Sequence, residues 1–309
     1  MNRLVVFSAL IVVGGLSLAV SGQAPAGPSA KAVAATKIEK IKDNLYIITG
    51  SSVEDTTAFS GGNVAVFITD DGVTIVDAKL PGFGPTIVDR VKSVTNKPIT
   101  RIINTHAHND HTGSNEFFGA SIENIVQDNT KANMAKMAEF QGAKAQFLPK
   151  KTYTDTMTIG SGKDEIDLYY FGPGHTNGDS FVVFKAARTM HVGDIFAWKA
   201  LGYIDAGNGG SVVGQPKTLA KAIATVKNVD TIINGHIPVS TWNDLKEYAQ
   251  FTKEFAEFAE TEMKAGKTVD QAAGEYTVDP KFKGYVASVS PRFSAKANLQ
   301  IAFDEMKKG

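Results

Sequence analysis

Half of the six histidines in this 309-residue chain fall within six consecutive positions, in the run Thr105-His106-Ala107-His108-Asn109-Asp110-His111. Imidazole is the commonest metal-binding side chain, and clustering imidazoles without a partner is unfavourable. Residues two apart on an extended chain project to the same side, so His106 and His108 are placed to clamp one ion. If the chain then turns, Asp110 and His111 face a second ion beside it.

Three further places carry an isolated ligand-type residue beside a glycine at the end of an apolar strand pattern. His175 follows Gly172-Pro173-Gly174, where a tight loop is poorly suited to core packing. Asp194 ends the run Met190-His191-Val192-Gly193, whose alternation places Met190, Val192 and Asp194 on one face. A carboxylate there is costly unless it meets a cation. His236 follows Ile232-Ile233-Asn234-Gly235. Asp77 closes the strand Val73 to Val76 and reads as a residue that orients a ligand by accepting its hydrogen bond. His191 faces away from Asp194 and reads as structural.

Taken in order, Asp77, the His106/His108/Asp110/His111 cluster, His175, Asp194 and His236 resemble the metallo-β-lactamase fold superfamily over about Ile38 to Trp242. The resemblance implies an α/β fold, a four-layer αβ/βα sandwich of two mixed β-sheets flanked by helices, with the metals at the edge of the facing sheets. It implies one ion on His106, His108 and His175, a second on Asp110, His111 and His236, and Asp194 bridging them. Two Zn2+ per chain suit this nitrogen and oxygen set, and iron or manganese are also compatible. Two ions about 3.5–4 Å apart share a water and lower its pKa toward about 7, which predicts hydrolysis by a metal-bound hydroxide. Asp110 is then the candidate catalytic residue, steering the nucleophile or shuttling its proton.

The superfamily divides on the bond that is cut. A bridging Asp194 resembles the hydroxyacylglutathione hydrolases, lactonases, sulfatases and phosphodiesterases of the superfamily, where true class B β-lactamases carry Cys or, in one subclass, Ser. The expected reaction is cleavage of an activated acyl bond in an ester, thioester, lactone or β-lactam. A class B-like β-lactamase proper, a phosphodiesterase and a di-iron redox protein stand as alternatives. Candidate substrate contacts are Phe59, in a Ser/Thr/Gly-rich flap from Val53 to Gly62, and Trp198, four residues beyond Asp194. Lys199 and Asn208 are reminiscent of residues that β-lactamases use on the substrate carboxylate and carbonyl.

These side chains need a scaffold, and the hydropathy pattern supplies one. Strands are expected at Leu45 to Gly50, Asn63 to Thr69, Val73 to Asp77, Ile99 to Thr105, Ile122 to Gln127, Asp164 to Phe171, Phe181 to Lys185, Thr189 to Gly193 and Thr231 to Ile233. Asp70-Asp71-Gly72 marks a hairpin. Helices are expected at Thr86 to Val94, Gly113 to Gly119, Asn129 to Gly142, Lys217 to Lys227 and Ala295 to Lys307. A long helix capped by Ser240 carries the stripe Trp242, Leu245, Tyr248, Phe251, Phe255 and Phe258. Strands with interspersed helices indicate one layered α/β domain over 38–309, with the C-terminal helices from about 240.

Composition bounds the rest. Lysine plus arginine and aspartate plus glutamate each number 32, so no basic arm points to nucleic acid. Arg3, the apolar run Leu4 to Val20 and the small residues after it resemble a secretory signal peptide over residues 1–24, with an uncleaved anchor as the alternative. Residues 25–37 read as a flexible linker. A periplasmic or secreted enzyme with a small-molecule substrate, and no membrane contact once the leader is removed, follows as the expectation. The oligomeric state stays open. The chain has no cysteine, which removes thiolate from the ligand and nucleophile lists.

Overall fold

The computed structural model describes residues 27–51 and 54–308. The leader expected at 1–24 lies outside the described residues, as does Val53 of the flap. Two sheets form the interior. The first has seven strands in sequence order: β1 (Ile38–Lys42), β2 (Leu45–Ile48), β3 (Val64–Thr69), β4 (Gly72–Val76), β5 (Ile99–Ile103), β6 (Glu123–Gln127) and β7 (Lys151–Tyr153). β1 to β4 pair antiparallel and β4 to β7 parallel. The second runs β13 (Ser240–Thr241), β12 (Thr231–Asn234), β11 (Thr189–Gly193), β10 (Phe181–Phe184), β9 (Ile166–Tyr169) and β8 (Thr156–Ile159). It is antiparallel except for β11 and β12.

Alternation along each strand builds the layers. Leu45, Ile47, Phe67, Val76 and Ile103 of the first sheet meet Ile166, Leu168, Val182, Phe184 and Ile233 of the second. The opposite face of the first sheet packs Val73, Ile75 and Ile102 on Ile87 and Val91 of α2 (Gly84–Lys92). That of the second packs Phe181, Met190, Val192 and Ile232 on α5 (Gln215–Thr225), α6 (Trp242–Lys264) and α8 (Ala295–Met306). The result is the expected αβ/βα sandwich of two mixed sheets flanked by helices. No helix among the described residues is long and apolar enough to cross a membrane.

Local readings are corrected in five places. Residues 27–37 are not a featureless linker. Ser29 caps a short helix, α1 (Ala30–Ala35), and Arg90 of α2 donates to the carbonyls of Val33 and Thr36. These bonds tie the segment to the domain ahead of Ile38. The helix expected at Gly113 to Gly119 begins earlier, as the single turn α3 (Asn109–Thr112), followed by a 3-10 turn at Asn115–Phe118. Asp110 and His111 therefore lie inside the helical turn. The helix expected to reach Gly142 stops as α4 (Asp128–Met134) and continues as 3-10 segments, which fold Phe140 back against Met134, Ala107 and Val126. The cap of α6 is Thr241, one residue after Ser240, in a reciprocal capping box with Asp244. Strands β1, β7, β8 and β13 lie outside the expected strands, whereas α7 (Val269–Glu275) falls among the C-terminal helices expected from about 240. All four strands are short, and their burial patterns carry few fully buried positions.

Candidate metal centre

Seven side chains from four chain segments meet at one edge of the sandwich. β5 delivers Thr105 to His108, and α3 carries Asp110 and His111. His175 comes from the β9–β10 loop, Asp194 from the residue after β11, and His236 from the loop after β12. They sort into two groups, His106/His108/His175 and Asp110/His111/Asp194/His236, and within each group every donor atom lies within 4.8 Å of the others.

Each imidazole of the first group is held from outside by one nitrogen. Thr105 Oγ1 donates to Asp77 Oδ2 at 2.8 Å, so its lone pair accepts from His106 Nδ1 at 2.9 Å. His108 Nε2 donates to Asp205 Oδ2 at 2.7 Å. His175 Nδ1 donates to the Tyr203 carbonyl at 2.5 Å. This pattern assigns the tautomers and leaves His106 Nε2, His108 Nδ1 and His175 Nε2 as inward-facing lone pairs. His175 Nε2 and His108 Nδ1 are 2.9 Å apart, a repulsive contact unless a cation lies between them.

Asp77 is the common brace. It is fully buried and adopts φ 70, a left-handed conformation that Asp tolerates better than most residues. Its carboxylate accepts from Thr105 N, Thr105 Oγ1 and His111 Nδ1 at 2.8, 2.8 and 2.7 Å. One side chain thereby orients a member of each group.

Asp194 reaches both groups. Its Oδ1 lies 3.2 Å from His111 Nε2, and its Oδ2 lies 3.0 Å from His236 Nε2 and 3.9 Å from His175 Nε2. Asp110 Oδ2 lies 3.3 Å from His236 Nε2 and 3.6 Å from His111 Nε2. Such closeness requires glycine at two neighbours. A Cβ on Gly235 would fall 1.8 Å from Asp194 Oδ1, and one on Gly62 2.1 Å from His111 Cε1.

The donor set fits metal ions. His106 Nε2 and Asp194 Oδ1 are buried and make no hydrogen bond, although unsatisfied buried polar atoms are rare in folded proteins. Burial, reinforced by neighbouring histidines, holds His106 well below the usual imidazole range, and burial brings His175 down to about 4. Both stay neutral, the state that ligates. In the second group burial opposes charge, but the carboxylates prevail. Asp194, Asp110 and Asp77 hold His111 well above its ordinary value, and Asp194 and Asp110 raise His236 to about 9. Burial likewise opposes ionisation of Asp110 and Asp194, yet His111 and His236 bring Asp110 to about 2 and hold Asp194 well below the usual range. The cation-free protein thus gathers protons where a dication would sit.

The surrounding wall departs from the sequence reading in part. Phe59 is half-buried with its ring 5.6 Å from His236. Trp198 stacks on His236 at 5.0 Å and 4°, so it forms a wall of the site. Lys199 is not available to a substrate carboxylate. Its Nζ is 2.7 Å from Asp244 Oδ1 and 3.8 Å from Glu247 Oε2, because α6 presents both carboxylates to it. Asn208 also turns away from a substrate role. Its side-chain amide donates to Asp205 Oδ2 at 2.8 Å, and its backbone carbonyl accepts from Asn177 N. It acts on the site through Asp205, and His108 beyond it. His191 is structural, accepting from Gly193 N–H and facing the Asn63 carbonyl.

Sequence reasoning missed Asp205, Tyr203 and Lys79. Asp205 stands just before the Gly207-Asn208-Gly209 turn, the nearest available clue. Lys79 is fully buried, with Nζ donating to Ser60 Oγ and the Gly62 carbonyl at 3.2 and 3.0 Å. It fastens the strap that carries Phe59. Burial lowers its pKa to about 7, against the opposing pull of Asp110 and Asp77.

A family model described as the metallo-beta-lactamase superfamily matches residues 58–236, which span all seven donors. The chain belongs to the metallo-β-lactamase superfamily. It is 29% identical over 159 residues to the metallo-beta-lactamase type 2 of Elizabethkingia meningoseptica, covering 50% of this chain and 59% of that relative. The chain therefore spans less than two thirds of that protein. It is 28% identical over 205 residues to metallo-beta-lactamase IND-1 of Chryseobacterium indologenes, covering 63% and 80%. Among solved structures, the metallo-beta-lactamase from Pontibacter korlensis matches with a TM-score of 0.61 at 16% identity, covering 71% of this chain and 99% of that one. TMB-1 matches with a TM-score of 0.59 at 19% identity, covering 71% and 97%. At these identities the structural matches speak for the fold alone.

Proposed function

We propose that this metallo-β-lactamase superfamily hydrolase holds two zinc ions and cleaves an activated acyl bond in an ester, thioester or lactone, with β-lactams inside the same chemical class. The reach of Asp194 into both donor groups is the observation that carries the reading. His106, His108 and His175 would hold one ion, Asp110, His111 and His236 the other, and Asp194 both. When bound, the ion pair supplies a water acidified toward neutral pH and a Lewis acid for the carbonyl oxygen.

The protein's own residues do the rest. Asp77, Asp205 and the Tyr203 carbonyl hold the imidazoles in their ligating tautomers. The Asp110 side chain is held ionised by His111 and His236 against burial and is 23% exposed, so it can meet a water entering from the open side and accept its proton. Trp198 and Phe59 wall the second group from bulk water. An anionic bridge lowers the net charge of the metal pair, which favours substrates with good leaving groups over amides. The relatives from Elizabethkingia meningoseptica and Chryseobacterium indologenes are called metallo-beta-lactamases, so a cephalosporin belongs in the test. The leader-like N-terminus supports action in the periplasm or outside the cell on a small molecule.

The test is a parallel screen of a thioester, a lactone and a chromogenic cephalosporin with the zinc-loaded protein and its Asp110→Ala variant. Turnover of the thioester or lactone, lost about 100-fold or more in the variant, is expected. A strong preference for the cephalosporin would overturn the acyl-ester reading. Binding of one zinc or fewer per chain would overturn the binuclear one.

A further inference from the structure

We propose that Arg292 and the rings beneath it form an anion subsite at the rim of the metal centre, selecting acyl substrates that carry a carboxylate near the scissile bond. The inference rests on the acyl-hydrolase reading. It concerns a part of the chain beyond the family match, which ends at residue 236.

A continuous path of rings joins Arg292 to both donor groups. The guanidinium lies over the Tyr203 ring, 5.4 Å from its centroid. Tyr203 stands 5.7 Å from His108 and 5.9 Å from His175. Phe293 stacks on Trp198 at 5.2 Å and 18°, and Trp198 stacks in turn on His236. Tyr203 and Phe293 close the path at 5.6 Å.

The placement is built by the C-terminal region. Arg292 lies in the 3-10 turn Pro291–Phe293, and Ser294 immediately caps α8. From α8, Asn298 donates to the Gly202 carbonyl at 3.1 Å. Glu305 accepts from Ser211 Oγ, Val212 N and Val213 N at 2.8, 3.0 and 3.1 Å. The helix that carries the Arg292 turn therefore also fixes the loop that carries Tyr203 and Asp205.

Charge selects Arg292 among the neighbouring cations. Lys199 is neutralised by Asp244 and Glu247, and Lys79 is buried under the strap. Among the described residues no carboxylate pairs with Arg292, and it is exposed. The cation–π contact with Tyr203 leaves the planar fork of N–H donors without a carboxylate among the described residues. That fork matches a carboxylate, and the ring contact restricts its motion before the ligand arrives.

The test uses the zinc-loaded full chain and two esters of similar length, 4-nitrophenyl butyrate and the mono-4-nitrophenyl ester of glutarate. Arg292→Ala should raise KM for the charged ester about fivefold, the scale of an exposed ion pair, with kcat and the neutral ester unchanged. Arg292→Lys should restore part of the loss. Salt at about 0.5 M should erase the wild-type advantage and leave the alanine variant unmoved. Equal losses on both esters, or no loss on the charged one, overturn the subsite. A second arm needs no turnover: phenylsuccinate titrated against tryptophan fluorescence should bind more weakly to Arg292→Ala than to wild type. If neither ester is hydrolysed the acyl reading falls and this arm alone decides, with equal affinity overturning the subsite.

Discussion

Replacing Asp205 by alanine should weaken one metal position and spare the other. Asp205 touches the centre only through His108, whose Nε2 it accepts at 2.7 Å. That bond fixes the tautomer that turns Nδ1 inward. The His108 side chain is 20% exposed, so water can replace Asp205 as acceptor and no buried donor is stranded. The loss is then that of one charge-assisted hydrogen bond, about 1.5–3 kcal/mol. This agrees with the roughly 10–100-fold drop in affinity expected for removing an outer partner of a metal-bound histidine. The second group does not touch Asp205 and is coupled to the first only through Asp194 and Asp77, so its affinity should fall by clearly less than that of the first. Competition against a chromophoric chelator resolves the two binding steps. An equal fall in both affinities, or no fall in either, would refute the assignment of Asp205 to His108 and of His108 to a separate ion.

Two further outcomes follow from the burial of charge. Lys79 has a folded pKa of about 7 against an ordinary 10.5. Its stabilising contribution is therefore complete above about pH 10.5 and lost as pH falls to about 7, at a cost of about 4–5 kcal/mol to the metal-free protein. Lys79→Met relieves that cost and forfeits two hydrogen bonds at about 1 kcal/mol each. Urea unfolding of chelated protein should show the variant about 2 kcal/mol more stable near pH 7, with the sign reversing near pH 9; a pH-independent difference would rule this out. Chelation itself should lower the melting temperature. At a free zinc concentration about 1,000 times its Kd, binding stabilises by about 4 kcal/mol, which for a chain of this size is on the order of 10 °C. Calorimetry with and without chelator reads it, and coincident melts would count against metal binding by these clusters.

The sequence by itself determined the candidate donor set. Three histidines and an aspartate on one strand-to-helix turn, and single ligand residues beside glycines at later strand ends, are local patterns that backbone geometry translates directly into position. Strand alternation determined the layers for the same reason, since a period of two sets which face is buried. What only the tertiary structure decided lies between segments distant along the chain. Lys199 was legible as a cation, but its neutralisation depends on Asp244, brought to it by the packing of α6. Asp205 could not be joined to His108, 97 residues away, from any local pattern. Arg292 gains a role only because α8 folds back along the 202–213 loop. Ligand identity is carried by residue type and short spacing, whereas orientation, charge balance and substrate wall depend on which surfaces meet when the core closes.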